Sequence, residues 1–194
     1  MSAQSATAST VDRILGSALL MVQQRGFSGF SFRDIASEVG IKTASIHYHF
    51  PTKPDLAQAV LARVRGEFES ELKRIDTEIV DIDLRLKAFI AIFHNTFAVG
   101  DRLCPFCMVA CAQDGVPDFV RAEVQSFWSA GEQWVAKTLE EGMKAGIYRR
   151  DLDSVTVGRV LVAMLEGAMV TARAFEDRSR LDMAGEWFLR EIAS

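Results

Sequence analysis

The chain has 194 residues, of which 49% are apolar and 25% charged, with a net charge of −4. That is one large domain or two small ones, with enough apolar material to bury a sizeable core. The longest apolar runs, such as Val160 to Leu165, stop short of the ~20 residues of a membrane helix, so no membrane partner is expected. The opening MSAQSATAST lacks a basic region followed by an apolar run and reads as a frayed polar arm, not a secretory signal. An odd set of three cysteines in a chain too large to need disulfide staples points to a reducing cytoplasm. Charge is unevenly placed. Residues 1–60 hold five Lys/Arg and four Asp/Glu, whereas residues 61–194 hold 17 and 22. A near-neutral head on an acidic body is compatible with a nucleic-acid contact at the N-terminal end.

The helical period dominates throughout. Val11, Ile14, Leu15, Ala18, Leu19 and Val22 mark one face of a first helix, capped by Ser9 or Thr10 and ended by Gly26. A short helix over Ser31–Val39 ends at Gly40. A second short helix, capped by Thr43, runs to about Phe50, and Pro51 breaks it. A long helix starts near Thr52–Lys53 and continues into the seventies. Leu84, Phe89, Ile90, Phe93 and Phe97 form the next apolar stripe. Pro105 opens a helix expected to end near Gln113, DGVP is a turn, and Phe119–Met143 is a long helix with Phe127, Trp128, Trp134 and Val135 inward. Ser154–Phe175 is apolar nearly all round, which implies burial on more than one side. Leu181–Ile192 closes the chain. The expectation is an all-α fold of about nine helices.

Ser31–Val39 and Thr43–Phe50, joined by the turn Gly40–Lys42, have the form of a helix-turn-helix unit. Phe32, Ile35, Ala36, Ile41 and Ile46 can hold the pair together. Lys42, Thr43, Ser45, His47, Tyr48 and His49 are then left without a core role. Hydroxyl and basic groups at the start of such a helix suit a major groove or a phosphate backbone, and Lys53 offers a cation beside the free amides of the next helix. An ordinary solvated surface helix is the plainer alternative.

The stretch GFSGFSFRDIASEVGIKTASIHYHFPTKPDL, Gly26 to Leu56, resembles the DNA-binding domain of TetR-family repressors. Phe27, Ser31, Asp34, Ile35, Ala36, Gly40, Tyr48, His49, Phe50, Lys53 and Leu56 stand where that pattern wants them. His47 replaces the usual tyrosine, and Pro54 a common acidic residue. The resemblance implies an N-terminal DNA-binding domain over 1–51 and a ligand-binding, dimerising domain over 52–194. It also implies a homodimer on a palindromic double-stranded operator, a small-molecule inducer that moves the fourth helix, and no cofactor, metal or catalytic residue. The DNA-facing set would be Ser31, Arg33, Lys42, Thr43, Ala44, Ser45, His47, Tyr48, His49 and Lys53. LCPFCMVACAQDGVPDFVRAEV with EGAMVTAR is similar to a cysteine-containing subgroup of drug- and electrophile-responsive repressors.

Cys104, Cys107 and Cys111, at i, i+3 and i+7, share one helical face. With Pro105 as first helical residue, Cys104 falls at the N-cap, where unpaired amides lower a thiol's pKa. Three readings stand open: small apolar filler, a redox or electrophile sensor, and a zinc site that borrows His94. A thiol enzyme or redox protein using Cys104 and Cys107 is the alternative function. Phe68, Phe89, Phe93, Phe97, Met108, Phe127, Trp128, Trp134 and Met164 are either plain core or the walls of an apolar pocket. Glu166 and Arg173, inside the apolar Ser154–Phe175 helix, either hold a polar ligand group or pair across a subunit interface. Gly158, Ala163, Gly167 and Ala168 permit close helix approach there. With Val160, Met164, Trp187 and Phe188 they suggest a dimer interface built from the last two long helices.

Overall fold

The computed structural model describes residues 9–112 and 115–194; residues 1–8 of the expected polar arm, Gln113, and Asp114 of the expected DGVP turn lie outside them. Among the described residues there are nine α-helices: α1 (Thr10–Arg25), α2 (Phe32–Val39), α3 (Thr43–His49), α4 (Lys53–Glu78), α5 (Ile82–Ala98), α6 (Pro105–Ala110), α7 (Asp118–Ala145), α8 (Ser154–Ala174) and α9 (Ser179–Ile192). A 3-10 turn over Phe27–Gly29 joins α1 to α2.

Three N-termini are fixed by the same device. Ser9, Ser31 and Thr52 each accept from the backbone of an aspartate three residues on, and that aspartate reaches back to the cap. Two unpaired amides are satisfied reciprocally each time. Lys42, not Thr43, takes the cap position of α3, without a side-chain bond. The turn before it depends on Gly40, whose φ of 73° and ψ of 38° lie in the left-handed region. There the amides of Gly40 and Ile41 both donate to the Ala36 carbonyl, at 2.9 and 3.0 Å, closing α2 and turning the chain into α3. Ile35, Ala36, Val39, Ile46 and Phe50 are buried between the two helices and α1. Arg13 of α1 donates to the Val39 carbonyl at the end of α2.

The remaining helices form a bundle in which α7 packs on α4, α5 and α8. Gly158 makes the α7–α8 approach possible, since a Cβ there would lie 2.7 Å from the Glu132 carbonyl oxygen. The glycine therefore serves packing within one subunit, not an approach between subunits. Gly142 plays a similar part, leaving room for the buried Tyr148 ring. The chain end is pinned beside it: Arg149 N–H donates to the Ile192 carbonyl at 2.9 Å, and Ser194 N–H to that of Ile147 at 3.2 Å.

Some expectations need correction. Leu84 is 51% exposed, and Leu86 takes its place inside α5. α6 stops at Ala110, with Cys111 as its C-cap, well before Gln113. α8 is long and apolar enough, by length and composition, to cross a membrane, with a mean hydropathy of 1.5. It carries Arg159, Glu166 and Arg173, however, and Leu161, Leu165, Met169 and Ala172 are fully buried against its neighbours.

Candidate nucleic-acid interface and core cavity

α3 presents its polar face outward. Lys42, Ala44, His47, Tyr48 and His49 are exposed, while Thr43 and Ser45 are half-buried. Tyr48 is 84% exposed, the second most exposed of the large apolar side chains. A ring held in water on a rigid helix gains nothing from the fold, which suits a surface waiting for a partner. His47 is positioned rather than free. Its ring sits edge-on to Phe32, with centroids 4.8 Å apart. Its Nδ1 is 3.2 Å from the Pro51 carbonyl. A carbonyl can only accept, so Nδ1 carries a proton in this contact. Arg33, exposed on α2, makes no ion pair among the described residues, and neither does Lys42.

Two other members of the expected DNA-facing set have local duties. The Ser31 hydroxyl donates to Asp34 Oδ2 at 2.6 Å within its capping box, and this bond holds the Asp34 carboxyl below its ordinary pKa. Lys53 does not stand out towards a phosphate. Its Nζ donates to the Phe30 carbonyl and lies over the Phe30 and Phe27 rings, 4.2 and 5.1 Å from their centroids. Burial lowers its pKa, against a smaller opposing pull from Asp34. Lys53 fastens the start of α4 to the loop before α2.

Behind this head, α4, α5, α6 and α7 line a half-open cavity of about 230 Å³, with Met169 of α8 at its wall. Of the expected lining residues, Phe68, Phe93, Phe127 and Cys104 are there; Val64, Ile92, Thr96, Pro105, Phe106, Met169 and the carboxylates Glu67 and Glu71 complete it. Phe106 stacks on Phe127 with centroids 3.8 Å apart, and Phe68 leans on Phe127 at 4.6 Å. Phe89 and Trp134 stack on each other at 5.4 Å, and Phe97 is buried; all three belong to the core, not to the cavity wall. Met108 packs beside Gly26 at the end of α1. Trp128 donates its indole N–H to Glu166 at 3.2 Å. Met164 faces away, into a shallow groove on the outside of α8 and α9.

Cys104 caps α6 and Pro105 follows it, as the sequence implied. The expected low pKa is not found. Burial, then the nearby Glu166 carboxyl, pushes the Cys104 thiol well above its ordinary value, outweighing the downward pull of the Cys107 and Phe106 amides. Burial, Glu166 and Cys111 push half-buried Cys107 up to about 12. Cys111 is exposed. His94 turns to Asp182 of α9, at 3.1 Å. Among the described residues no group of three His, Cys, Asp or Glu could hold a metal, so the zinc reading fails on geometry. Arg173 donates to the Gln23 and Gln24 carbonyls, at 3.4 and 3.0 Å, at the end of α1. It joins α8 to the head within one chain.

The outer face of α8 and α9 is open and apolar. Val160 and Trp187 are about half exposed, at 51% and 48%; Gly167 is exposed and Met164 half-buried. Phe188 and Ala168 are buried inside the subunit and offer this face little.

Residues 14–60 match the family model of bacterial regulatory proteins of the tetR family, and residues 84–188 match that of the tetracyclin repressor-like C-terminal domain. The chain belongs to the TetR family. As a TetR-family member it is a transcriptional regulator with a helix-turn-helix DNA-binding domain, not an enzyme. The HTH-type transcriptional repressor DhaR of Mycobacterium sp. (strain GP1) is 28% identical over 167 residues, 82% of this chain and 80% of that protein. The crystal structure of a TetR-family regulator from Agrobacterium tumefaciens superposes with a TM-score of 0.90 at 28% identity, over 95% of this chain and 98% of that one. A TetR regulator from Legionella pneumophila gives 0.87 at 28% identity, over 96% and 99%. This likeness extends over both the α1–α3 head and the bundle that lines the cavity.

Proposed function

We propose that this cytoplasmic TetR-family regulator is a homodimeric repressor that leaves a palindromic operator when a small apolar molecule enters its core. The division is a DNA-reading head over 1–51 and a ligand-binding, dimerising body over 52–194. The observation that carries the reading is the shared use of α4. This helix is fastened to the head through Lys53 at its first turn, and about three turns later its side chains begin to wall the cavity. α6 supplies another wall through Cys104 and Phe106, and rests on α1 through Met108. A guest that separates α4 from α6 therefore pushes on the head at two places. A bias of ~3 kcal/mol towards the non-binding state lowers operator affinity more than a hundredfold.

Repression is supported by the relatives, several of which are named HTH-type transcriptional repressors. Dimerisation is supported by the apolar outer face of α8 and α9, where two copies would form a four-helix interface. Non-covalent binding is favoured over attack by Cys104, because that thiol is buried and held protonated. The test begins with selection of bound DNA from a random pool, followed by gel shifts on the selected site. A palindromic site, released on adding an apolar ligand found by thermal shift, is the expected result. Selection of no site, or a site bound equally with and without every stabilising ligand, counts against the proposal. Release by electrophiles that disappears in Cys104→Ser would restore the covalent route.

A further inference from the structure

The charged groups around the cavity share one sign. Glu67 and Glu71 of α4 stand at its wall, and no lysine or arginine lines it. The one hydroxyl there, Thr96, is committed to its own helix, donating to the Ile92 carbonyl at 3.0 Å. A third carboxylate lies behind Cys104, outside the cavity lining itself. Glu166 is 7% exposed, near the middle of α8 and three residues before Met169, which lines the cavity. Its Oε1 accepts from the Trp128 indole at 3.2 Å, while its buried Oε2 has no hydrogen-bond partner beyond the weakly donating Cys104 thiol beside the carboxyl. Cys104 links the two places, since it lines the cavity and its thiol lies against the Glu166 carboxyl.

A buried acceptor left unpaired is costly, more so when it carries charge. A guest that brings a cation to Glu166 relieves that cost. A purely apolar guest leaves it in place, and an anionic guest sets a second negative group against Glu166 with no lysine or arginine on the cavity wall to offset it. Glu67 and Glu71 already have partners in Arg63 and Arg74 of the same helix, which leaves Glu166 as the unpaired seat. Size narrows the class further. A cavity of about 150 Å³ holds benzene, so about 230 Å³ suits one ring with a short chain.

We propose that the cavity takes a compact lipophilic amine, its apolar body held by Phe68, Phe93, Phe106 and Phe127 and its ammonium group directed past Cys104 to Glu166. This deepens the ligand-responsive reading above and rests on it.

The test is calorimetric titration of the full-length protein with three probes of one shape: 4-phenylbutylamine, 4-phenylbutanol and 4-phenylbutanoate. The amine binds at least tenfold more tightly than the alcohol, and the carboxylate binds most weakly. Glu166→Gln, which keeps the shape and the bond to Trp128, brings the amine down to the affinity of the alcohol. Equal binding of amine and alcohol, preference for the carboxylate, or no binding of any probe overturns the ligand class. An amine preference that survives Glu166→Gln and disappears in the Glu67→Gln/Glu71→Gln double variant overturns the seat. Ligand-free gel shifts run in parallel keep the two readings apart. Intact operator binding with a failed titration sinks this inference alone, whereas absent operator binding sinks the regulator reading itself.

Discussion

At the residue scale, side chains that look alike in sequence divide by what the fold has already done with them. Tyr48 and Lys53 both read as phosphate ligands, yet Tyr48 stands in water and Lys53 is occupied by Phe30. Tyr48→Ala should weaken operator binding roughly tenfold or more, since a hydrogen bond to a charged group contributes about 1.5–3 kcal/mol. Lys53→Met should lower the melting temperature and leave the salt dependence of operator binding unchanged. A salt slope reduced by one phosphate's worth would show that Lys53 swings out to the DNA after all. Glu166 gives a pH prediction. Burial raises its pKa above the ordinary glutamate value of 4.5. As pH rises from that value through the folded pKa, the unfolded chain gives up this proton and the folded chain keeps it. Stability should therefore fall across that window, by up to about 1.4 kcal/mol per pH unit. Glu166→Gln should flatten the fall, as read from urea midpoints across the pH series.

At the scale of elements, the helices were largely legible because each wrote its own start and stop. Ser9, Ser31 and Thr52 announce caps, Gly26 and Gly40 announce ends, and the apolar period fills what lies between. What could not be read was which side of a helix would find a neighbour. Leu84 and Leu86 are both leucine on α5, and only packing against α7 and α8 decides that Leu86 goes in. The cysteines fail for a related reason. The helix N-terminus acts on Cys104 in the expected direction, but burial acts more strongly, and burial is a property of the assembled bundle. Phe68, Phe93 and Phe127 of the cavity wall were foreseeable from aromatic stripes; Glu67 and Glu71 were not, because a carboxylate on an amphipathic helix reads as solvated. Gly158 was singled out for close approach, yet its partner is α7. Gly158→Ala should force α7 and α8 apart against backbone, which does not yield as a side chain does. A loss of about 1–3 kcal/mol in unfolding free energy is expected. An unchanged urea midpoint would mean the two helices can slide.

At the scale of the molecule, a single chain leaves too much apolar surface on one side. Val160, Val170, Met183 and Trp187 are each exposed by two fifths or more. The Val160→Glu/Trp187→Glu variant should run as a monomer in light scattering with its helical circular dichroism intact, and its operator affinity should fall more than a hundredfold. A persistent dimer would move the interface elsewhere. On that proposed dimer, α8 has a second role as a ruler. Its outer face would lie on the two-fold axis, and its last turn grips α1 through Arg173. Its 21 residues, at about 1.5 Å each, measure about 30 Å. The distance between the two heads is then partly a helix length written in the chain. Removing one turn from α8 should leave the half-site sequence unaltered and shift the preferred spacing between half-sites.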